Sequence, residues 1–265
     1  MTEPEEYDYG ELLVIQHAEH TGPAALTEVL DTRAGRRPWR LVDLGAGAPF
    51  PSLDRVRGIV VLGGPMGVRD REEHPWIDAE IAAIQEAQEH EIPLFGICLG
   101  VQLLGEALNG RVETRDLPEI GLIALTRTEA GSADPVFAGW PDGASALFLH
   151  DDEVVALPDG AEPMLEGSDG VAAWRSPDGV SYGAQFHPEV DAAQAAAWLA
   201  REDNRERFAR VGVDPDDFVE ETRRRERFLL AAGLSLVGRW IDAVVGRNDP
   251  DPVRGRRAGS ASRRS

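Results

Sequence analysis

The single cysteine of the chain, Cys98, lies in the run Phe95-Gly96-Ile97-Cys98-Leu99-Gly100-Val101-Gln102. An apolar stretch there passes straight into a helical pattern through a turn bracketed by glycines, the arrangement that presents a nucleophile at a strand-to-helix elbow. Such a turn strains the backbone and leaves no room for bulky neighbours, and glycine meets both demands. A thiolate at a helix N-terminus also faces exposed N–H groups and the positive end of the helix dipole. One cysteine allows neither an intrachain disulfide nor a multi-cysteine metal site, so Cys98 must work with other residue types. By residue type alone a lone intracellular cysteine is more often an inert buried side chain. The glycine bracket is what points to reactivity, and it fits several kinds of elbow hydrolase.

A second group lies far downstream in Gly183-Ala184-Gln185-Phe186-His187-Pro188-Glu189. His187 has the chemistry to take the thiol proton and later to protonate a leaving amine, and Glu189 to orient the imidazole and stabilise its charged form. Pro188 between them restricts the backbone so that both side chains can converge. A third segment, Leu62-Gly63-Gly64-Pro65-Met66-Gly67, would by itself be read as no more than a turn.

Taken in order, the three segments resemble the hallmarks of the class I, or triad, glutamine amidotransferase family: a Gly-Gly-Pro turn, a Gly-x-Cys-x-Gly-x-Gln elbow and a distal Phe-His-Pro-Glu. The resemblance covers about residues 10 to 200. It looks most like the stand-alone branch related to the glutaminase domain of GMP synthase, to judge by Gly-Gly-Pro-Met-Gly-Val, Pro75-Trp76 and the C-terminal helices. It implies a flavodoxin-like α/β fold with a three-layer, mostly parallel sheet and helices on both faces. It also implies Cys98, His187 and Glu189 as catalytic residues, with the backbone N–H groups of Gly64 and Leu99 forming the oxyanion hole. Two such donors aimed at a developing oxyanion stabilise it by several kcal/mol. Gly63 and Gln102 are implied as substrate contacts. So are His150 and Asp152, because Leu149-His150-Asp151-Asp152 resembles a His-x-Asp segment lining the glutamine pocket. The sequence departs from the branch at Val101, where a histidine is common, and the pocket is expected to lose polarity there.

The reaction so implied is hydrolysis of the glutamine γ-carboxamide to glutamate and ammonia through a γ-glutamyl thioester, with no metal and no cofactor. The chain has no G-x-x-x-x-G-K-[ST] loop, and too few residues follow position 200 for a nucleotide-using domain. A synthase receiving the ammonia would therefore be a separate subunit. A free-standing hydrolase of γ-glutamyl peptides or conjugates shares the same triad and differs only in the leaving group. A catalytically silent binding or regulatory protein is the reading from a different class, which the intact Cys98, His187 and Glu189 argue against. His17, Glu19 and His20 read as a loop at the site mouth rather than a zinc site.

These side chains need elements to hold them. Short β-branched runs alternate with helical periodicity through the first part of the chain, the pattern of a mostly parallel sheet with crossover helices. Strands are expected at Leu12–Gln16, Leu41–Leu44, Gly58–Leu62 and Leu94–Ile97, with helices at Ala24–Arg33, Pro75–Glu91 and Leu99–Leu108. From Val112 onward shorter strands, Leu122–Thr126, Ala146–Leu149, Val171–Trp174 and Tyr182–Phe186, suggest a more antiparallel half. Helices come next at Ala192–Ala200 and, as one or two pieces, Asp216–Val245, whose apolar stripe is expected to dock on the domain. The expected organisation is a flexible acidic N-terminus (1–9), an amidotransferase-like domain (10–202), a helical extension (203–247) and a disordered arginine-rich tail (248–265).

Composition narrows the partners. The net charge is −20, with 47 acidic residues against 27 basic ones, all of them arginine. That disfavours nucleic acid. No apolar run reads as a membrane span and the acidic start does not read as a signal peptide, so a cytoplasmic protein is expected, binding glutamine or a γ-glutamyl small molecule. A homo-oligomer is left open.

Overall fold

The computed structural model describes residues 10–33 and 38–248. The expectations for the N-terminus and, apart from Asn248, for the tail lie outside the described residues. Strands β1 (Glu11–Gln16), β2 (Trp39–Asp43), β3 (Val56–Val61) and β4 (Leu94–Ile97) alternate with helices α1 (Leu26–Arg33), α2 (Trp76–Glu89) and α3 (Leu99–Ala107). The later elements are β5 (Arg111–Ala124), β6 (Thr126–Arg127), α4 (Glu129–Ala133), β7 (Ser145–Ala156), β8 (Glu162–Gly167), β9 (Gly170–Arg175) and β10 (Tyr182–Ala184). Three helices complete the fold: α5 (Ala192–Leu199), α6 (Glu202–Val211) and α7 (Pro215–Ala243).

The main sheet has eight strands in the order β2-β1-β3-β4-β10-β9-β8-β6. Strands β2 through β10 in that order are parallel, and β9, β8 and β6 continue it antiparallel. This is the α/β class with a mostly parallel central sheet. Side chains alternate between two cores, as a strand buried on both faces requires. Leu12, Val14, Val60, Phe95 and Ile97 meet α1 and α7 on one face; Leu13, Ile15, Ile59, Val61 and Leu94 meet α2 and α3 on the other.

The apolar stripe of the C-terminal segment docks on this sheet as one continuous 29-residue helix, α7. Its start is set by Asp214, whose side chain accepts from the N–H groups of Asp216 and Asp217, with Pro215 in the first turn. Leu236, Val237, Trp240 and Ile241 are buried against the strands, with Trp240 and Phe95 rings 5.7 Å apart. Each such side chain contributes about 1.5–3 kcal/mol of burial, so α7 closes the third layer of the domain.

The chief difference from expectation is in the second half. Instead of short strands at 122–126 and 146–149, β5 and β7 run for 14 and 12 residues and pair antiparallel as a separate two-stranded sheet. Their outer portions are rich in charge and join through pairs such as Arg115 with Glu153, so hydrophobicity does not mark them. The register shifts between Thr114 and Glu119, where Pro118 cannot donate to the ladder.

Candidate active site

β4 and β10 are adjacent and parallel, with Phe95 beside Tyr182 and Ile97 beside Ala184. Their C-terminal ends therefore carry the residues after both strands to one sheet edge, where ligands of open α/β sheets bind. Cys98 comes directly after β4. It has φ 50° and ψ −107°, a strained conformation for a residue with a Cβ. Costs of this kind are on the order of 1–3 kcal/mol and persist only where the surroundings enforce them. Here the Cys98 N–H donates to the Ala184 carbonyl at 2.9 Å, and its own carbonyl accepts from Val101 and Gln102 at 3.1 and 3.2 Å. Gly183 lets α3 start this close to the sheet: a Cβ there would lie 2.0 Å from Val101 Cγ2.

That contact relocates Val101. It is buried in the core between α3 and the sheet and does not line the pocket at Cys98, so it does not set that pocket's polarity. It borders instead a cavity of about 330 Å³ behind the elbow, edged by Glu119, Glu153 and Asp169.

His187 lies beyond β10, its N–H donating to the Leu147 carbonyl of β7 at 2.8 Å. Its Nδ1 donates to Glu189 Oε1 at 2.8 Å, and Cys98 lines the same pocket as the ring. Burial alone would lower the proton affinity of the ring. Glu189 first and then Cys98 overcome that and push its pKa up to about 10. The indole of Trp198, from α5, meets the imidazole edge-on with centroids 4.8 Å apart. Gly63 crosses above: a Cβ there would come within 2.9 Å of His187 Cε1 and 3.5 Å of Cys98 Cβ. Glycine is what permits the turn to cover both residues. Among the described residues, neither the Gly64 N–H nor the Leu99 N–H meets an acceptor within the protein.

The pocket at Cys98 is lined by Gly64, Pro65, Leu149, His187, Trp198 and, from α6, Asn204 and Arg207, with His20 and Thr21 at its side. The structure thus brings together Cys98, His187, Glu189, Gly63, Gly64 and Leu99. It does not bring Gln102 or His150 to the pocket. Gln102 is buried, its Nε2 donating to the Asp152 carbonyl at 2.7 Å and to Gln185 Oε1 at 3.4 Å. His150 has one ring nitrogen 3.0 Å from the Asp152 carbonyl and the other 2.7 Å from Glu119 Oε2 across the β5–β7 pair. The Asp152 carboxylate lies against Gly67. It is Asp151 that reaches the pocket's roof, paired with Arg207 at 2.7 Å.

Sequence reasoning placed 203–247 in a helical extension but marked no separate helix at Glu202–Val211, and it missed Asn204 and Arg207 as pocket residues. Arg207 binds the Asn204 side chain at 3.0 Å and approaches the Pro65 carbonyl at 3.4 Å. Glu202–Val211 buries only Asn204 and Phe208, so it carries no stripe from which a helix or a site is read. Of the early cluster, His20 borders the pocket while His17 is buried against Glu80. Among the described residues no three His, Cys, Asp or Glu side chains form a metal-binding group, and no helix is long and apolar enough to cross a membrane.

Comparison with known proteins agrees with this geometry. The family model for glutamine amidotransferase class-I matches residues 45–202, more than half of the chain. A GMP synthase [glutamine-hydrolyzing] of Thermus thermophilus is 39% identical over 137 residues, covering 51% of this chain and 25% of that protein. Its counterpart in Ectopseudomonas mendocina is 33% identical over 159 residues, covering 58% and 28%. The chain thus spans about a quarter of the length of the curated relatives it matches. A glutamine amidotransferase structure from Thermotoga maritima superposes over 88% of this chain and 99% of its own, with a TM-score of 0.76 at 26% identity. One from Methylobacillus flagellatus covers 89% and 95% with a TM-score of 0.77 at 23% identity, a likeness of fold. The chain belongs to the class I glutamine amidotransferase family and is similar to the glutamine amidotransferase part of GMP synthases.

Proposed function

We propose that the chain hydrolyses the γ-carboxamide of glutamine through a thioester on Cys98. The observation that carries this reading is the 2.8 Å hydrogen bond from His187 to Glu189, with the charged imidazole further favoured by Cys98, at a strained elbow beneath the Gly63-Gly64 turn. Cys98 gives its thiol proton to His187 as its Sγ adds to the γ-carbonyl carbon, and the resulting oxyanion is held by the N–H groups of Gly64 and Leu99. The carbon–nitrogen bond breaks as His187 gives its proton to the departing nitrogen, releasing ammonia. Water then adds to the thioester, losing a proton to His187, and cleavage of the carbon–sulfur bond releases glutamate and returns the thiol.

Likeness to GMP synthases supports a synthase as the destination of the ammonia. The chemistry uses a free thiol, which a reducing cytoplasm maintains. Replacement of Cys98 by alanine should abolish release of ammonia and glutamate while the circular dichroism spectrum stays native. Undiminished glutaminase activity in the purified Cys98→Ala protein overturns the reading. Amine release from γ-glutamyl peptides with no ammonia from glutamine, even beside a synthase, would reassign the leaving group.

A further inference from the structure

The turn over Cys98 is held from behind by a buried pair that the reaction above does not use. His17 comes directly after β1 and is buried. Its Nδ1 lies 3.1 Å from the Gly63 carbonyl oxygen, and its Nε2 lies 3.1 and 3.2 Å from the two carboxylate oxygens of Glu80. Glu80, on the inner face of α2, is fully buried. Trp76, one turn earlier on that helix, stacks on the imidazole with centroids 5.2 Å apart and planes inclined by 19°. With a carbonyl oxygen at Nδ1 and a carboxylate at Nε2, the surroundings of both ring nitrogens favour the protonated ring. Burial opposes the charge, and Glu80 together with the Gly63 carbonyl raises the pKa in spite of it. A fully buried carboxylate keeps its charge only if paired and hydrogen-bonded in this way.

The geometry of the peptide unit makes this pair relevant to the pocket. The peptide linking Gly63 to Gly64 is planar and trans, so its C=O and N–H point in opposite directions. Drawing the carbonyl toward His17 turns the Gly64 N–H the other way. Gly64 lines the pocket with Cys98 and His187, and that N–H meets no acceptor among the described residues. Two successive glycines offer little resistance to a flip of the peptide between them, so the orientation must come from an outside partner. A side chain added to stiffen it would crowd its surroundings: a Cβ on Gly64 would lie 2.6 Å from Met66 Sδ, 2.8 Å from Leu99 Cδ2 and 3.1 Å from His17 Cβ, so these groups would have to shift.

We infer that the His17–Glu80 pair is a positioning device that clamps the Gly63 carbonyl and so aims the Gly64 N–H at the oxyanion forming over Cys98. The inference deepens the reaction proposed above and rests on it. It places His17 as a positioning residue acting through the backbone, with no contact to substrate.

The test uses the full chain and two double variants in which no buried charge is stranded. His17→Leu with Glu80→Met removes donor and carboxylate together. His17→Asn with Glu80→Gln keeps an amide donor near the place of Nδ1. Two rates are read in each: glutamine hydrolysis, which forms an oxyanion, and alkylation of Cys98 by iodoacetamide, which displaces iodide at a saturated carbon and forms none. The apolar pair should lower kcat about 10- to 100-fold, somewhat less than deleting an oxyanion-hole donor outright. KM should stay within about threefold and the alkylation rate should not change, while the Asn/Gln pair should recover most of kcat. Undiminished kcat in the apolar pair, or an equal fall in alkylation, overturns the inference. If the unaltered protein hydrolyses no γ-glutamyl amide, the reaction itself was misread. Crystal structures of the same variants still decide then: a rotated Gly63-Gly64 peptide in the apolar pair supports the clamp, and an unmoved one overturns it.

Discussion

Cys98 and His187 meet at one sheet edge but are built into it differently. Cys98 is set by its own neighbourhood, a strand running into a helix with its carbonyl already in the first turn of α3. His187-Pro188-Glu189 belongs to no helix or strand and takes its position from elements remote in sequence. The His187 N–H is held by Leu147, and the Glu189 carbonyl accepts from Ala25 at 3.2 Å. Trp198 closes on the imidazole, and α7 presses on Pro188 at Gly233, where a Cβ would lie 2.4 Å from the Pro188 oxygen. The Cys98 side thus leans mainly on its own strand and helix, with the Ala184 carbonyl as a remote partner, whereas the His187 side is built from tertiary contacts. Distant substitutions should damage the second far more than the first.

The largest effect that sharpens this comparison is expected at Glu189. Its Oε1 holds the imidazole, and no protein group meets its buried Oε2 among the described residues. Glu189→Gln should lower kcat by about 10³-fold or more, as removal of the orienting carboxylate does in triad enzymes. It should also move the pH profile. The pKa of His187 is raised from 6.5 to about 10, so the ring keeps its proton through neutrality, and the stability this adds is present below about pH 6.5 and lost as pH rises through about 10. Removing the Glu189 charge brings the pKa down, and the alkaline limb of kcat/KM should shift to lower pH. An unmoved limb would break the assignment of that limb to His187.

Next is Gly233, far from the chemistry. Gly233→Leu must displace either α7 or the Pro188 backbone, at a cost of roughly 1–3 kcal/mol for overpacking. A misplacement of the base by even a fraction of an ångström should lower kcat about 10-fold. Cys98 alkylation should change much less, since a side chain at Gly233 would meet the Pro188 backbone and not the elbow. Equal losses in both assays would mean that the two sides are not separately built.

The smallest effect on activity is expected at His150. With both nitrogens occupied inside the β5–β7 pair, His150→Ala should destabilise the protein by about 1–3 kcal/mol, read as a lower urea midpoint, by leaving the Glu119 carboxylate without its partner. The KM for glutamine should change by less than about threefold. A tenfold rise would restore His150 as a substrate contact and require the hairpin to open when substrate binds.

The parallel half of the fold was legible because its strands are buried on both faces, and continuous β-branched runs such as Val60-Val61 admit few other readings. The β5–β7 hairpin was not, since its exposed charged positions dilute the period-two signal. Gly233 shows the same limit from the other side. In sequence it interrupts an apolar stretch, whereas in the fold it lets α7 pass close to the Pro188 backbone.

The order of the Gly-Gly turn, the elbow and the His-Pro-Glu segment was enough, by itself, to specify the family and to nominate side chains for the chemistry. Those features depend on residue type and on local backbone, which a one-dimensional pattern records directly. Tertiary structure alone decided that α6 roofs the pocket, that His150 and Gln102 are spent on internal hydrogen bonds, and that His17 reaches the Gly63 carbonyl from behind. Each of these turns on where two distant segments meet and which hydrogen-bonding groups are left over when they do. Only the packed chain settles that, because buried polar groups must find partners wherever the fold places them.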